Sequence, residues 1–210
     1  MLIATVVLAA CGESSDSGAD NGGEEFRFAD TATFNEAQPK APSIEGSKLT
    51  TLGDVPQLEG GVKVGVLLKT LTNQYWQQVE AGLKDAAGEF GVETGPIQAA
   101  SSENAQQEQL QICQTLLQQD FDALIVAPET TSNLNPCLKQ AESKNIPLVN
   151  IAAPGPGVPA TVYVGPALLT EGRQAVDYLA KELPAGSQVA HISGLPGSSA
   201  ADLRVKGYRE

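Results

Sequence analysis

Short apolar runs rich in β-branched residues alternate along this chain with stretches whose apolar residues recur every three or four positions. Few architectures accommodate that alternation. Val62–Leu68 reads as a buried strand, and a polar loop follows from Lys69. Val79, Leu83, Ala86 and Phe90 then mark one face of a helix over 74–90, stopped by Gly91. A weaker strand is expected over 92–98. Ser101, Ser102 and Glu103 supply an N-cap for a second helix with Leu110, Cys113, Leu116 and Leu117 on its apolar face. The next strand covers 121–126 and closes at Pro128. Thr130, Thr131 and Ser132 cap a third helix with Leu134, Cys137, Leu138 and Ala141 on one side. Strands follow at 146–151 and 161–164, then a helix over 168–182 built on Leu169, Ala175, Val176 and Leu179. A further strand is expected at 188–193, a loop at 194–199, and a last helix from about Ala200. Such β-α repetition predicts an α/β fold, a doubly wound parallel sheet with helices on both faces. In such sheets ligands sit beyond the carboxyl ends of the strands, which singles out the loops at 69–76, 127–131, 152–158 and 194–199.

The residues before Val62 differ in character. Of the net charge of −12, residues 12–61 contribute −7, from ten acids against three bases. That acidity, with no basic face elsewhere, argues against nucleic acid as a partner. Leu2–Ala10 is an apolar run without charge. It falls short of the roughly 20 residues a membrane span requires and suits the hydrophobic part of a secretory signal. It ends in Leu8-Ala9-Ala10-Cys11, similar to the lipobox of bacterial lipoproteins, which makes Cys11 the expected site of lipidation. No Lys or Arg precedes the run, so the true start is expected upstream of Met1. The Gly/Ser-rich acidic stretch after Cys11 buries too little apolar surface to order itself. The expected organisation is therefore a signal and lipobox at 1–11, a tether at 12–61, and a folded part from 62.

Several segments of the folded part carry a family resemblance. They are Lys63–Val66 followed by Thr70–Trp76, Phe121–Pro128, Asn145–Val149, and Gly194–Ala201 with Gly207-Tyr208. In this order and spacing they resemble the type I periplasmic binding proteins, in particular the ribose- and sugar-binding branch. The resemblance implies two α/β lobes, the first over 62–166 and the second starting at 167, with ligand held in the cleft between them. It implies a second lobe longer than the residues after 167 supply, so the chain is read as stopping short of a whole binding protein. It further implies an extracytoplasmic, lipid-anchored solute receptor for an ABC permease, with a small-molecule ligand, no cofactor, no metal and no catalytic residues.

The likeness also assigns residues. Asn73, Tyr75 and Trp76 fall on first-loop ligand positions, where aromatic faces pack against sugar rings; Trp76 packing under the first helix is the alternative. Lys69 and Asp202 stand where family members carry a Ser and an Arg that meet ligand, and both are candidate contacts here. Ala127, Ala152 and Ala153 replace polar sugar-gripping residues, so the ligand is expected to be a sugar or a sugar-like solute, with a small acid or nucleoside as the alternative. Lys69 would meet a carboxylate or phosphate in such a ligand, with a solvated loop lysine as the alternative. Glu129 is expected to favour the N-terminus of the third helix, with a position facing the cleft as the alternative. His191, the single histidine, reads as a core residue of its strand.

Cys113 and Cys137 remain once Cys11 carries lipid. An exported protein favours their pairing, with two buried thiols as the alternative. The order of strands that the resemblance implies sets the second and third helices side by side, and a disulfide between them follows.

Other functions fit less well. A ligand-sensing lipoprotein that signals to a membrane receptor shares every feature above. A sugar-responsive transcription regulator needs a basic helix-turn-helix where residues 12–61 are acidic and broken by Pro and Gly. A receiver or flavodoxin-like enzyme needs acids or a phosphate loop after the first strand, where Lys69-Thr70 stands. Gly194–Ser199 lacks the spacing of a nucleotide-binding loop.

Overall fold

A computed structural model describes residues 32–33, 53, 61–152 and 159–210 of the protein. Cys11, Ala153 and nearly all of the tether lie outside the described residues. Two of its residues, Ala32–Thr33 (β1), pair antiparallel with Pro159–Ala160 (β7).

The sheet is organised around Lys63–Thr70 (β2), whose residues from Val64 onward are all buried. Its neighbours are Glu93–Thr94 (β3) and Gln98–Ala100 (β4) on one side and Ala123–Val126 (β5) on the other. Beyond β5 lie Leu148–Ile151 (β6) and Val162–Val164 (β8). All these pairings are parallel, and the path runs β3-β2-β5-β6-β8 with β4 also on β2. The single strand expected at 92–98 is thus two short ones. Gly95 and Pro96 lie between them, and proline has no N–H for the ladder. The doubly wound α/β fold is present as expected.

Register assigns each face its core. Val64 pairs with Ala123 and Val66 with Ile125, while Leu67 pairs with Val126. Val64, Val66 and Leu68 pack with Trp76, Val79 and Leu83 beneath Gln74–Phe90 (α1). Leu67, Leu124, Val126 and Leu148 turn the other way, onto Gln106–Leu116 (α2) and Asn135–Ser143 (α3). Period-two alternation within a strand buried on both sides produces these two cores from one sequence run. Gly91 ends α1 in the left-handed conformation, φ 67°.

Two helix starts differ from expectation. At α2 the cap position is Ala105, with no side-chain bond. Glu108 of the first turn instead reaches back to accept from the N–H and the hydroxyl of Ser101, at 3.0 and 2.5 Å. At α3 the start slips to Asn135, because Thr130 and Asn133 close a turn on each other first. The strand expected at 188–193 does not form: no described strand lies beside it, and Ile192 is 94% exposed. Alternating β-branched residues favour a strand only where a neighbour receives the backbone bonds.

Leu168–Glu182 (α4) and Ser199–Arg209 (α5) pack chiefly on each other. A methyl group added at Gly172 or Gly207 would overlap the carbonyl of Arg204 or of Leu169, so glycine at both positions permits this close crossing. Cys113 and Cys137 join α2 to α3 through a disulfide, Cα–Cα 6.1 Å, with both residues fully buried. Closing a loop of 24 residues stabilises by about 3 kcal/mol in the chain-entropy treatment. A Cys113→Ala/Cys137→Ala double variant should lose stability of that order in urea titration. In the unreduced wild type, neither thiol should take up an alkylating reagent.

Candidate functional site

The chain runs from β2 outward to β3 and β4, then crosses to β5 on the other side of β2. Such a reversal leaves a crevice beyond the carboxyl ends of the two diverging strands. Lys69 and Thr70 end β2 there, with Lys69 only 7% exposed. Ala127 and Glu129 follow β5, at 0% and 4% exposure.

A buried amide holds these strand ends in place. Gln109 of α2 is fully buried, and its Nε2 donates to the carbonyls of Leu68, at 3.2 Å, and Ala127, at 2.9 Å. Its Oε1 accepts from the N–H of Glu129 at 3.0 Å and from Nδ2 of Asn133 at 2.7 Å. Every polar atom of the amide is used, as burial demands. The result is that Lys69 and Glu129, each adjacent to a residue gripped by Gln109 or gripped itself, emerge at a fixed separation.

Between these strand ends and the segment from His191 to Val205 lies a cleft of about 400 Å³. Its wall includes Lys69, Trp76, Glu103 and Glu129 on one side and His191 and Arg204 on the other. Trp76 is 5% exposed, and the Lys69 ammonium stands 6.0 Å from its ring centroid, within reach of a cation–π attraction. His191 stacks on Tyr208 with ring centroids 4.7 Å apart. Arg204 is committed to Glu171, Nε to Oε2 2.9 Å.

Burial dominates the titration of both central charges. It lowers the Lys69 amine below its usual value, against the attraction of Glu129 and Glu103. It raises the Glu129 carboxyl to about 7; Lys69 opposes the rise and Glu103 adds to it. Oε1 of Glu129 is buried without a hydrogen-bond partner. Among the described residues, no cluster of His, Cys, Asp and Glu could hold a metal ion, and no helix is long and apolar enough to cross a membrane.

Of the five residues singled out in the sequence, the structure brings Lys69 and Trp76 to this cleft, and Trp76 also packs in the core under α1, the alternative the sequence allowed. Asn73 instead caps α1: its Oδ1 accepts from the N–H of Tyr75 at 2.8 Å, and its Nδ2 donates to Glu103 at 3.0 Å. It thereby anchors a carboxylate of the wall. Tyr75 is 52% exposed and meets Trp76 edge-on, centroids 5.0 Å apart. Asp202 lies exposed in the first turn of α5, off the cleft wall. Ala152, at the end of β6, adopts φ 67°, a left-handed conformation that costs a residue with a Cβ about 1 kcal/mol. Two readings are corrected. Glu129 does not serve the N-terminus of α3, which starts six residues later at Asn135; it faces the cleft. His191 is not a core strand residue but part of the wall. Gln109 was missed altogether, since one Gln among several in a polar-rich helix carries no sequence signal of burial.

With this geometry in hand, the likeness to known proteins is specific. The model of the periplasmic binding protein domain matches residues 64–210. The chain belongs to that family. Its relatives lie in the sugar-binding branch of the type I fold. The D-allose-binding periplasmic protein of Escherichia coli is 30% identical over 155 residues, covering 69% of this chain and 49% of that protein. The ribose import binding protein of Bacillus subtilis is 26% identical over 145 residues, 69% of this chain and 47% of its own length. Among solved structures, a glucose-galactose binding protein from Geobacillus stearothermophilus superposes with a TM-score of 0.65 at 28% identity, covering 72% of this chain and 53% of that one. This binding-protein chain thus spans about half the length of the relatives it matches.

The raised Glu129 value has a consequence for stability. The neutral acid is the form the fold favours, so the stabilisation it brings is fully present below 4.5, fades as pH rises, and is gone above about 7. Glu129→Gln, which stays neutral throughout, should therefore raise the melting temperature at pH 8 and leave it nearly unchanged at pH 4.5. The gain should be up to about 3 kcal/mol, read by thermal unfolding at the two pH values.

Proposed function

We propose that this protein is the extracytoplasmic solute receptor of an ABC importer, binding a small sugar or sugar-like molecule in the cleft between two lobes, 62–166 and 167–210. The observation that carries the reading is the position of Trp76. A large, buried aromatic face stands in the wall of a cleft at the topological switch point, beside groups that donate and accept hydrogen bonds. An aromatic face suits the C–H surface of a sugar ring, and the polar groups around it suit the hydroxyls. Relatives named for ribose and D-allose binding support the same solute class. In this reading the ligand touches both the strand ends and the α5 side, so binding stabilises the closed arrangement of the two. The closed form is what a membrane permease recognises, and Cys11 holds the receptor at the membrane by lipid. The task is capture and release, without chemistry on the solute.

Trp76 is the sole tryptophan, so its fluorescence reports on the cleft alone. Addition of the cognate sugar to the intact protein should quench or shift that emission and raise the melting temperature by mass action. Trp76→Ala should weaken binding by tenfold or more, about 1.4 kcal/mol. Unaltered affinity in that variant would remove Trp76 from the site and the reading with it.

A further inference from the structure

Contacts between α2 and the stretch that leads into and out of α3 recur at one interval. Nδ2 of Asn133 donates to Oε1 of Gln109 at 2.7 Å. Cys113 is bonded to Cys137. Nζ of Lys144 donates to the carbonyl of Leu117 at 2.9 Å. On the α2 side the partners fall at 109, 113 and 117, spaced to share one face. The first two rungs also match on the other side, where Asn133 and Cys137 are again four apart, and each pair is separated by 24 residues. A covalent rung thus repeats a hydrogen-bonded one, a single turn further along α2. The hydrogen-bonded rung is the one on which the cleft depends. Gln109 holds the carbonyls of Leu68 and Ala127 and the N–H of Glu129 at 2.9 to 3.2 Å. Sliding α2 by one residue would move its side chains by about 1.5 Å, enough to break bonds of that length. The apolar contacts across the same interface, such as Leu116 and Leu138, are non-directional and tolerate a slide. The disulfide, with its Cα atoms fixed 6.1 Å apart, does not.

Resting on the solute-binding reading above, we infer that the disulfide is a positioning element of the binding site. Oxidation of Cys113 and Cys137 sets the register of α2 on α3 that Gln109 requires, and so raises the affinity of the cleft for its solute. The step is an exchange with a protein or small-molecule disulfide. The two thiols give up two protons and two electrons, one S–S bond forms between them, and the donor leaves as a pair of thiols. Both sulfurs are buried in the folded protein, so the bond closes during folding. A copy that folds in reducing surroundings keeps its sheet but is a weak receptor, which confines full binding to an oxidising compartment.

The test is calorimetric titration of the intact protein with D-ribose, D-allose and D-galactose, taking forward the sugar that binds the wild type most tightly. Cys113→Ala/Cys137→Ala, measured at a temperature where circular dichroism shows it fully folded, should bind that sugar about tenfold more weakly. Gln109→Met in the oxidised protein should weaken binding by a similar factor. Removing both cysteines in that background should add less than about twofold, because the two act through one link. Gln109→Glu, which keeps an acceptor for Glu129 and Asn133, replaces the methionine variant if that one unfolds. A local readout separates positioning from general loosening. In the cysteine variant the amide proton resonance of Glu129, which donates to Gln109, should move upfield, while that of Glu93, bonded to the carbonyl of Val62, stays in place. Unchanged affinity in the cysteine variant, or losses from the two substitutions that simply add, would overturn the inference and leave the solute-binding reading intact. If the alanine pair fails to fold, Cys113→Val/Cys137→Ala fills more of the vacated space and takes its place. Collapse of both would also overturn the inference, which holds that the sheet survives without the bond. Failure of the wild type to bind any of the three sugars would overturn the solute-binding reading itself, and the inference with it.

Discussion

One buried amide connects the fold of this protein to its site. Gln109 sits in the middle of α2 with no exposure to water, and it joins the end of β2, the end of β5 and the turn into α3 through four hydrogen bonds. A parallel sheet leaves carbonyls unpaired where strands diverge, and burying them unmet costs a few kcal/mol each. Gln109 meets that demand at the one place where the sheet must open to admit a ligand. The disulfide lies one helical turn further along α2, at Cys113. It fixes the helix to α3 and so gives the amide a rigid base. Stability on that face and geometry at the cleft are therefore two results of one arrangement.

The site runs counter to the stability of the fold. Two ionisable groups are buried at the ends of adjacent strands, and burial works against ionisation of both Lys69 and Glu129. Buried charges without close pairing are costly, and structures that keep them tend to do so at functional positions. The left-handed Ala152 at the neighbouring strand end adds a smaller strain of the same origin. All these features occupy the carboxyl edge of one sheet, across the cleft from α5 and the segment before it.

Much of this was legible in the chain. The two-sided burial of β2 followed from the unbroken run Val62–Leu68, α1 from its apolar spacing and Gly91, and the parallel sheet from the alternation. Where the sequence misled, the physics was non-local. Residues 188–193 have strand propensity, but no described neighbour pairs with them. Ser101 and Thr130 offer caps, yet a carboxylate in one case and an asparagine in the other engaged them first. Of the site, Lys69 and Trp76 could be found because they adjoin a recognisable strand and loop. Glu129 was left between two roles, and Gln109 and His191 could not be found, because their roles depend on which distant residues the topology brings near them. Gln109 reads as one glutamine among several in α2 until Leu68 and Ala127 are placed beside it.

The account as a whole depends on a solute being held between the strand ends and the α5 side. Hydrogen–deuterium exchange of the intact protein tests this directly, with and without the neutral aldose that most raises its melting temperature. Slowed exchange should appear together in the 67–76 and 127–133 segments and in the 194–205 segment, which belong to opposite walls. Protection confined to one wall, or none in either, would contradict it.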